Sequence, residues 1–228
     1  MSVINTNISS LTGLNNLRLT NLGLKTSLQR LSSGLRINQA ADDPSGLAIA
    51  KGMEAQIGGI RAATHNSQDG INLIHTADGT LHETQDILLR MRDLAVRASN
   101  EAVLTTADLT KLNDEFTSLK DELQRKSEAV TFNTKVLFSG RFSAGQVVQV
   151  GPDNGEVYRI TIQIPALGLS GLNLSGGAGG SVTLSSAAAA QSAITRVQSS
   201  LDVVSNTRSY LGVQERRLYH VIDDLAAQ

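Results

Sequence analysis

The sequence has no cysteine and no tryptophan, and only three prolines in 228 residues. Without cysteine the chain can form neither a disulfide framework nor a thiolate metal site. Aromatic residues make up 3% of the chain although 40% of it is hydrophobic, so a core must be built mainly from Leu, Ile, Val and Ala. Such a core suits long helices packed side by side.

Excess charge of one sign is also missing. Lys and Arg number 20 against 21 for Asp and Glu, a net charge of -1, which creates no field for nucleic acid or a membrane surface. No apolar run reaches the length of about 18 residues that a membrane span needs, and the amino terminus lacks the pattern of a cleaved secretory signal. Partners are therefore expected to bind through shape and apolar seams.

The first apolar pattern predicts an amphipathic helix from Ile4 to Leu31. Its apolar residues recur at spacings of three, four and seven, and the opposite face carries Asn, Thr, Ser and Gly. Because these are weak helix formers, the helix is marginal alone. Either it docks on its own domain, or it becomes ordered only against neighbouring copies. The apolar positions are Ile4, Ile8, Leu11, Leu14, Leu17, Leu24, Leu28 and Leu31.

A turn-rich segment follows, and Pro44 in it suits the first turn of a second helix. Asp43 is the predicted N-cap, and Asp42 adds negative charge at the favourable end of the helix dipole. The pair could be catalytic carboxylates, but a cap explains them better. The helix predicted from Pro44 to Asn100 would be about 80 Å long, which indicates a rod. Its apolar positions are Ile49, Met53, Ile57, Ile60, Ile71, Ile74, Leu81, Leu88, Met91 and Ala95.

Two further heptads predict helices that share the same apolar seam. The first follows possible caps at Thr105 and Thr106, and its polar residues from Lys120 to Lys126 are expected to face solvent. The second begins near Thr183 and runs to the end of the chain. The apolar positions are Leu109, Leu112, Phe116, Leu119 and Leu123, then Ala190, Ile194, Val197, Leu201, Val204, Leu211, Leu218, Ile222 and Leu225.

Between these heptads, residues 136–142, 146–152 and 156–164 alternate or are β-branched, which predicts two or three short antiparallel strands. Residues 165–181 are rich in Gly and Ser and predict an exposed loop. The predicted fold class is therefore mainly α: an elongated bundle of long helices, or rod domain, with a small antiparallel β-hairpin element.

Candidates for chemistry are few. His75, Asp78 and His82 share one helical face and could offer ligands to a divalent metal, but solvent-facing polar residues on a rod explain them better because no fourth ligand is apparent. No G-x-S-x-G motif occurs, and the glycine-rich SGGAGGS lacks the lysine of a phosphate loop. We therefore expect no cofactor, no metal and no catalysis.

Several stretches together resemble bacterial flagellin, the subunit of the flagellar filament, and the match is dense from Ser2 to about Phe142. The resemblance implies a structural, self-assembling protein of motility that leaves the cell through the flagellar type III export apparatus, without a cleaved signal peptide, and is extracellular. The stretches are VINTNISSLTGLNNL, LSSGLRINQAADDPSGLAIA, NSQDGINLIHTADGTLHE and LLRMRDLAVRASNE, with SNTRSYLGVQERRLYHVIDDL resembling part of the family's carboxy-terminal helix.

The resemblance also implies domains and assembly residues. Residues 1–43 would form the amino-terminal half of the inner-tube domain with its connecting spoke, residues 44–135 the rod helices, residues 136–182 the hairpin and loop, and residues 183–228 the carboxy-terminal rod helix. Contacts with other flagellin subunits are assigned to Ile4, Ile8, Leu11, Leu28, Leu31 and Arg92.

Recognition by a vertebrate receptor is implied as well. Arg90, Leu94 and Glu115 match the family's contact positions for the Toll-like receptor that senses flagellin. Leu94 is expected to be an exposed apolar anchor between arginines, and Asp86 is expected to pair with Arg90 four residues later. In a filament the same surface would join subunits lengthwise.

Flagellins ordinarily continue beyond the position of Gln228, where the family has a partner for residues 4–31 and the binding site of the export chaperone. A chain without that segment is expected to polymerise poorly and to lack the chaperone site. Two alternatives stay open, a hook-associated junction protein of the flagellum and a truncated receptor agonist. An enzyme is a distant third, which metal-dependent activity at His75 and His82 would favour.

Overall fold

The computed structural model describes residues 7–100, 102–175 and 182–228, and the mainly α fold class is confirmed. The chain divides into two compact units, Met1–Gly58 and Gly59–Gln228. The helices in the described residues are α1 (Ile8–Ser33), α2 (Pro44–Ala98), α3 (Thr106–Ala129) and α4 (Ala187–Ala226). The strands are β1 (Thr131–Phe132), β2 (Lys135–Val136), β3 (Gln146–Gln149) and β4 (Arg159–Ile162), with a 3₁₀ turn at Glu156–Tyr158.

Helix α1 begins and ends with conventional caps. The Asn7 side chain accepts a hydrogen bond from the Ser10 N–H (3.2 Å), and Gly34 closes the helix in the left-handed conformation at φ 68°. No residue of α1 is buried. Ile4, where the sequence predicted the helix to start, lies outside the described residues.

The predicted N-cap of α2 is confirmed by its hydrogen bond. Asp43 Oδ1 accepts from the Gly46 N–H at 2.9 Å, and a Cβ on Gly46 would lie 2.4 Å from Asp43 Oδ2, so a larger residue there would displace the capping side chain. Asp42 ties the preceding turn together by accepting from the N–H groups of Asn38 and Gln39, both at 3.1 Å. These backbone bonds, with the nearby Arg30 guanidinium, hold the pKa of Asp42 below its usual value.

The core of the second unit lies where α2, α3 and α4 share their apolar faces. Of the stripe predicted on α2, the residues from Ile71 to Ala95 are buried, whereas Ile49, Met53 and Ile57 in the first unit are exposed. The stripes predicted on α3 and α4 are all buried or half-buried. Large fully buried side chains on these helices include Ile74, Leu81, Leu88, Met91, Phe116, Leu211 and Leu218.

The small β element only partly follows the prediction. Strands β3 and β4 pair antiparallel with Val148 opposite Ile160, as expected for a hairpin, and β1 pairs with β2. Residues 137–142, however, form no strand, and Gly140 within them adopts a φ of 89°, which turns the backbone. The apolar spacing in this stretch instead places Leu137, Phe138 and Phe142 in the core.

The predicted exposed loop after Pro165 is wrong for its first half, since Leu167, Leu172 and Leu174 are buried. Distant side chains hold its backbone: Gln124 Oε1 accepts from the Leu169 N–H (3.1 Å), and Ser200 Oγ donates to the Leu172 carbonyl (2.7 Å). The loop therefore covers the core. Residues 176–181, which include most of SGGAGGS, lie outside the described residues.

Lys120 was predicted to face solvent, and that prediction is wrong. It is 7% exposed and follows Phe116 by one turn of α3, so its stem lies on the core side while Nζ donates to the Val182 carbonyl at 3.0 Å. Burial lowers the pKa of Lys120, partly opposed by the Asp121 carboxylate. The predicted cap of α3 is confirmed, because Thr105 and Asp108 form a reciprocal capping box.

We expect the Lys120→Met variant to flatten the alkaline pH dependence of stability. Because the folded-state pKa is depressed, the unfolded chain binds more protons, so stability rises as the pH climbs from the folded-state pKa toward the ordinary lysine pKa of 10.5. Methionine removes that proton difference. Urea unfolding of both proteins between about pH 8 and pH 10.5 tests this, and parallel slopes in the two proteins would contradict it.

Candidate assembly and recognition surfaces

Helix α1 carries the largest set of exposed apolar side chains on a described helix. Every apolar residue predicted from Ile8 to Leu31 is more than half exposed, as are Leu19 and Leu22, which the sequence stripe did not include. Exposed apolar side chains in such number mark an interaction surface. Of the predicted assembly residues, Ile8, Leu11, Leu28 and Leu31 lie on this surface.

The apolar residues of α1 form two sides rather than one. At 100° per residue, one side contains Leu14, Leu17, Leu24, Leu28 and Leu31, and the other contains Ile8, Leu11, Leu19 and Leu22. Arg18 and Lys25 lie between the two sides on one flank, and small polar residues such as Asn16 lie between them on the other. The sequence already contained the signal for the second side. Leu11, Leu19 and Leu22 are eight and then three residues apart, spacings that return to the same side of a helix.

Arg90 and Glu115 lie together across α2 and α3. The Arg90 guanidinium donates from Nε (2.8 Å) and Nη2 (2.6 Å) to Glu115 Oε1, and both side chains are about half exposed. The predicted pair of Asp86 with Arg90 is not formed. Asp86 Oδ2 instead lies 3.2 Å from His82 Nδ1. Two of the three residues that were predicted to bind the receptor are therefore joined on one accessible surface.

Leu94 is not the exposed anchor that the sequence predicted, because it is 2% exposed and belongs to the core. Met91, Leu94, Ala95 and Ala98 follow each other at helical spacing and are all buried, so Leu94 continues the core stripe. The apolar side chains that are exposed near Arg92 are Leu89 and Val96, which flank it on the outer face of α2. Sequence reasoning missed both.

The histidines considered for a metal site have separate partners. His75 Nε2 lies 2.9 Å from Glu215 Oε1, and His82 contacts Asp86. Asp78 accepts from Arg208 Nε at 2.8 Å, and the same guanidinium donates to Gln85 Oε1 at 2.8 Å. These bonds join α2 to α4. Within the described ranges, no three His, Asp or Glu residues are grouped as a metal ion requires.

The described helices also include none that is both long and apolar enough to cross a lipid bilayer. A groove of about 360 Å³ separates α2 from β3 and is lined by Asn66, Asp69, Gly70, Leu73 and the three residues Val147 to Gln149. The one carboxylate in the lining is that of Asp69, and the lining contains neither a histidine nor a serine. The groove therefore has no nucleophile paired with a general base.

Comparison with known proteins gives a consistent result. The profile described as the bacterial flagellin N-terminal helical region matches residues 4–159. A flagellin of Halalkalibacterium halodurans is 42% identical over 224 residues, covering 98% of this chain and 79% of that protein. The Bacillus subtilis flagellin is 35% identical over 249 residues, covering 98% and 82%.

Solved structures agree. The crystal structure of Bacillus cereus flagellin aligns with a TM-score of 0.59 at 26% identity, covering 71% of this chain and 88% of that one. A putative flagellar hook-associated protein from Vibrio parahaemolyticus aligns with a TM-score of 0.67, covering 83% and 95%, and at 17% identity it shares the fold alone.

Proposed function

This chain belongs to the bacterial flagellin family and is a structural subunit of the flagellar filament, and we propose that it joins the filament through both apolar sides of α1. A helical polymer that does not close needs two different surfaces on each subunit. The two sides of α1, separated by Arg18 and Lys25, could supply contacts to two neighbours at once. The exposure of every leucine in α1 is the observation that carries this proposal.

A second assembly surface is proposed on the outer face of α2. Arg92 is exposed between Leu89 and Val96, so an apolar contact framed by a guanidinium is available to a lengthwise neighbour. The assignment of residues 1–43 to the inner tube and of residues 44–135 to the rod stays a prediction, as does export through the flagellar apparatus without a cleaved signal peptide.

Binding at filament ends tests the main proposal. Fluorescently labelled chain is mixed with short filament seeds, and the labelled ends are counted by microscopy. We expect bound label at seed ends, and the length of the labelled segment tests the expectation that this chain polymerises poorly. The positive control is a different labelled flagellin that binds the same seeds. If the seed ends stay dark at saturating concentrations of this chain while the control binds, the proposal that the chain joins the filament through α1 is wrong.

The monomer is also proposed to bind the ectodomain of the flagellin-sensing Toll-like receptor through Arg90 and Glu115. The ion pair holds a guanidinium and a carboxylate at the surface, where bidentate contacts with a partner can form. Since Leu94 is buried, its proposed role changes from direct anchor to support for this face of α2.

Arg90→Ala is expected to weaken receptor binding by about tenfold or more, since arginines at interface centres often dominate affinity. Surface plasmon resonance with the receptor ectodomain measures the effect. Arg125→Ala is the matched control, because Arg125 is similarly exposed and also pairs with a carboxylate, that of Glu122. Equal affinities of the two variants would contradict recognition through Arg90.

A further inference from the structure

The loop that closes the β3–β4 hairpin contains the chain's one Asn-Gly pair, Asn154 followed by Gly155. The side-chain amide of an asparagine before glycine is open to attack by the next backbone nitrogen, because glycine has no Cβ to crowd the approach. Every other asparagine of the sequence precedes a residue that has a Cβ. Asn154 is exposed and Gly155 is half-buried, so solvent reaches the pair.

The hydrogen bonds of this loop bypass the peptide bond between Asn154 and Gly155. Gln149 Nε2 donates to the Asp153 carbonyl at 2.8 Å, and the Tyr158 N–H donates to the Gly155 carbonyl at 3.1 Å. The Gly155 N–H donates to no protein acceptor in the described part of the chain. The nitrogen that would have to lose its proton before attacking is therefore accessible to a base from solvent.

The Arg159 guanidinium contacts the atom on which charge would develop. Arg159 is the first residue of β4, and its Nη2 donates to Asn154 Oδ1 at 2.8 Å. Attack on Asn154 Cγ places negative charge on Oδ1, and a guanidinium binds an oxyanion more strongly than it binds the oxygen of a neutral amide. The contact therefore lowers the barrier to ring closure more than it stabilises the amide.

We propose that Asn154 is a site of spontaneous deamidation and that Arg159 promotes the reaction. The Gly155 nitrogen loses its proton to a base in solvent and bonds to Asn154 Cγ. The bond from Cγ to Nδ2 then breaks, and the amide nitrogen takes up a proton and leaves as ammonia. Water opens the resulting succinimide ring at either carbonyl, which gives aspartate or isoaspartate. In sum, a water molecule is consumed and an ammonia molecule is released.

The reaction changes both the charge and the backbone of the loop. Either product carries a carboxylate beside the Arg159 guanidinium, where an ion pair can form. In isoaspartate the main chain also runs through the side-chain Cβ and gains an atom. The loop packs against α2 at Pro152, since a Cβ added to Gly59 would lie 2.6 Å from Pro152 Cβ. The longer backbone therefore has to be accommodated close to a tight contact.

The test incubates the full chain at mildly alkaline pH and follows each asparagine by peptide mapping with mass spectrometry. Isoaspartyl methyltransferase labels the isoaspartate product. We expect Asn154 to react at least about tenfold faster than Asn133, which is also exposed in a turn but precedes the β-branched Thr134. Gly155→Ala should slow the reaction by a similar factor. The backbone tolerates that change, because φ of Gly155 is −168° and an added Cβ would lie 3.5 Å from Tyr158 Cδ2.

The role of Arg159 is tested separately. Arg159→Met should slow deamidation of the folded chain by about threefold or more, because it removes the donor to Asn154 Oδ1. In urea the contact is lost in the parent as well, so the two proteins should react at nearly the same rate. Arg141→Met is the matched control, since Arg141 is likewise exposed and its replacement removes the same charge. Thermal melts verify that each variant is folded.

Three results would overturn the proposal. If Asn154 in the folded chain reacts no faster than Asn133, the loop is not a deamidation site. If aspartate forms at Asn154 without isoaspartate, water hydrolyses the amide directly and the Gly155 nitrogen takes no part. If Arg159→Met and Arg141→Met react equally fast in the folded chain, or if Arg159→Met is just as slow in urea, the contact with Oδ1 does not promote the reaction.

Discussion

The double substitution Leu24→Glu/Leu28→Glu is expected to abolish binding of this flagellin at filament ends without lowering the melting temperature of the second unit. Both leucines are more than half exposed and contribute nothing to the core. On assembly, however, each glutamate would have to enter an apolar seam, and burying an unpaired carboxylate is costly. We expect affinity for seed ends to fall by at least about a hundredfold.

The measurement combines binding to labelled seed ends with thermal unfolding followed by circular dichroism. Thr12→Glu/Asn16→Glu is the matched control, because it adds the same charge to the same helix on the small polar face between the two apolar sides. That variant should bind seeds nearly as well as the parent chain. If both double variants bind equally well, α1 is not the assembly surface. If both double variants lose binding to seed ends equally, the added negative charge prevents binding wherever it lies on α1, and the apolar side has no special role.

Leu88→Ala is expected to destabilise the second unit by about 2–5 kcal/mol, because it deletes a fully buried side chain and leaves a cavity that close-packed helices fill only partly. In a unit of this size the melting temperature should fall by about 10 °C. Urea unfolding and thermal melts give the two quantities independently.

The adjacent Leu89 provides the control for this substitution. It is 45% exposed on the same helix, so Leu89→Ala changes helix propensity and side-chain size equally but removes little buried area. Its effect should stay below about 1 kcal/mol. If Leu89→Ala lowered the melting temperature as much as Leu88→Ala does, helix propensity and not packing would dominate the stability of the unit.

Local patterns in the sequence determined the helices and their ends. Asp43 and Thr105 cap the helices as predicted, since a cap depends on bonds between residues only three apart. Periodicity likewise located the apolar stripes, and family motifs together with these stripes were sufficient to identify a filament protein. Neither kind of signal depends on the path of distant segments.

Tertiary structure decided which stripes are covered. The same spacing of leucines occurs in α1, where every one is exposed, and in α2 from Ile71 onward, where they are buried. Periodicity reports that one face is apolar but not whether another element covers it. For the same reason Leu94 proved to be part of the core and not a surface anchor.

The remaining surprises depend on contacts between residues far apart in the chain. Lys120 is drawn inward by the Val182 carbonyl, 62 residues away, and the loop after Pro165 is held by Gln124 and Ser200. Arg90 pairs with Glu115 and not with Asp86, because α3 places the Glu115 carboxylate beside the Arg90 guanidinium. The sequence by itself determined the helices and their apolar faces, whereas packing alone decided which of those faces stay open to a partner, because burial depends on two surfaces and a local pattern describes one.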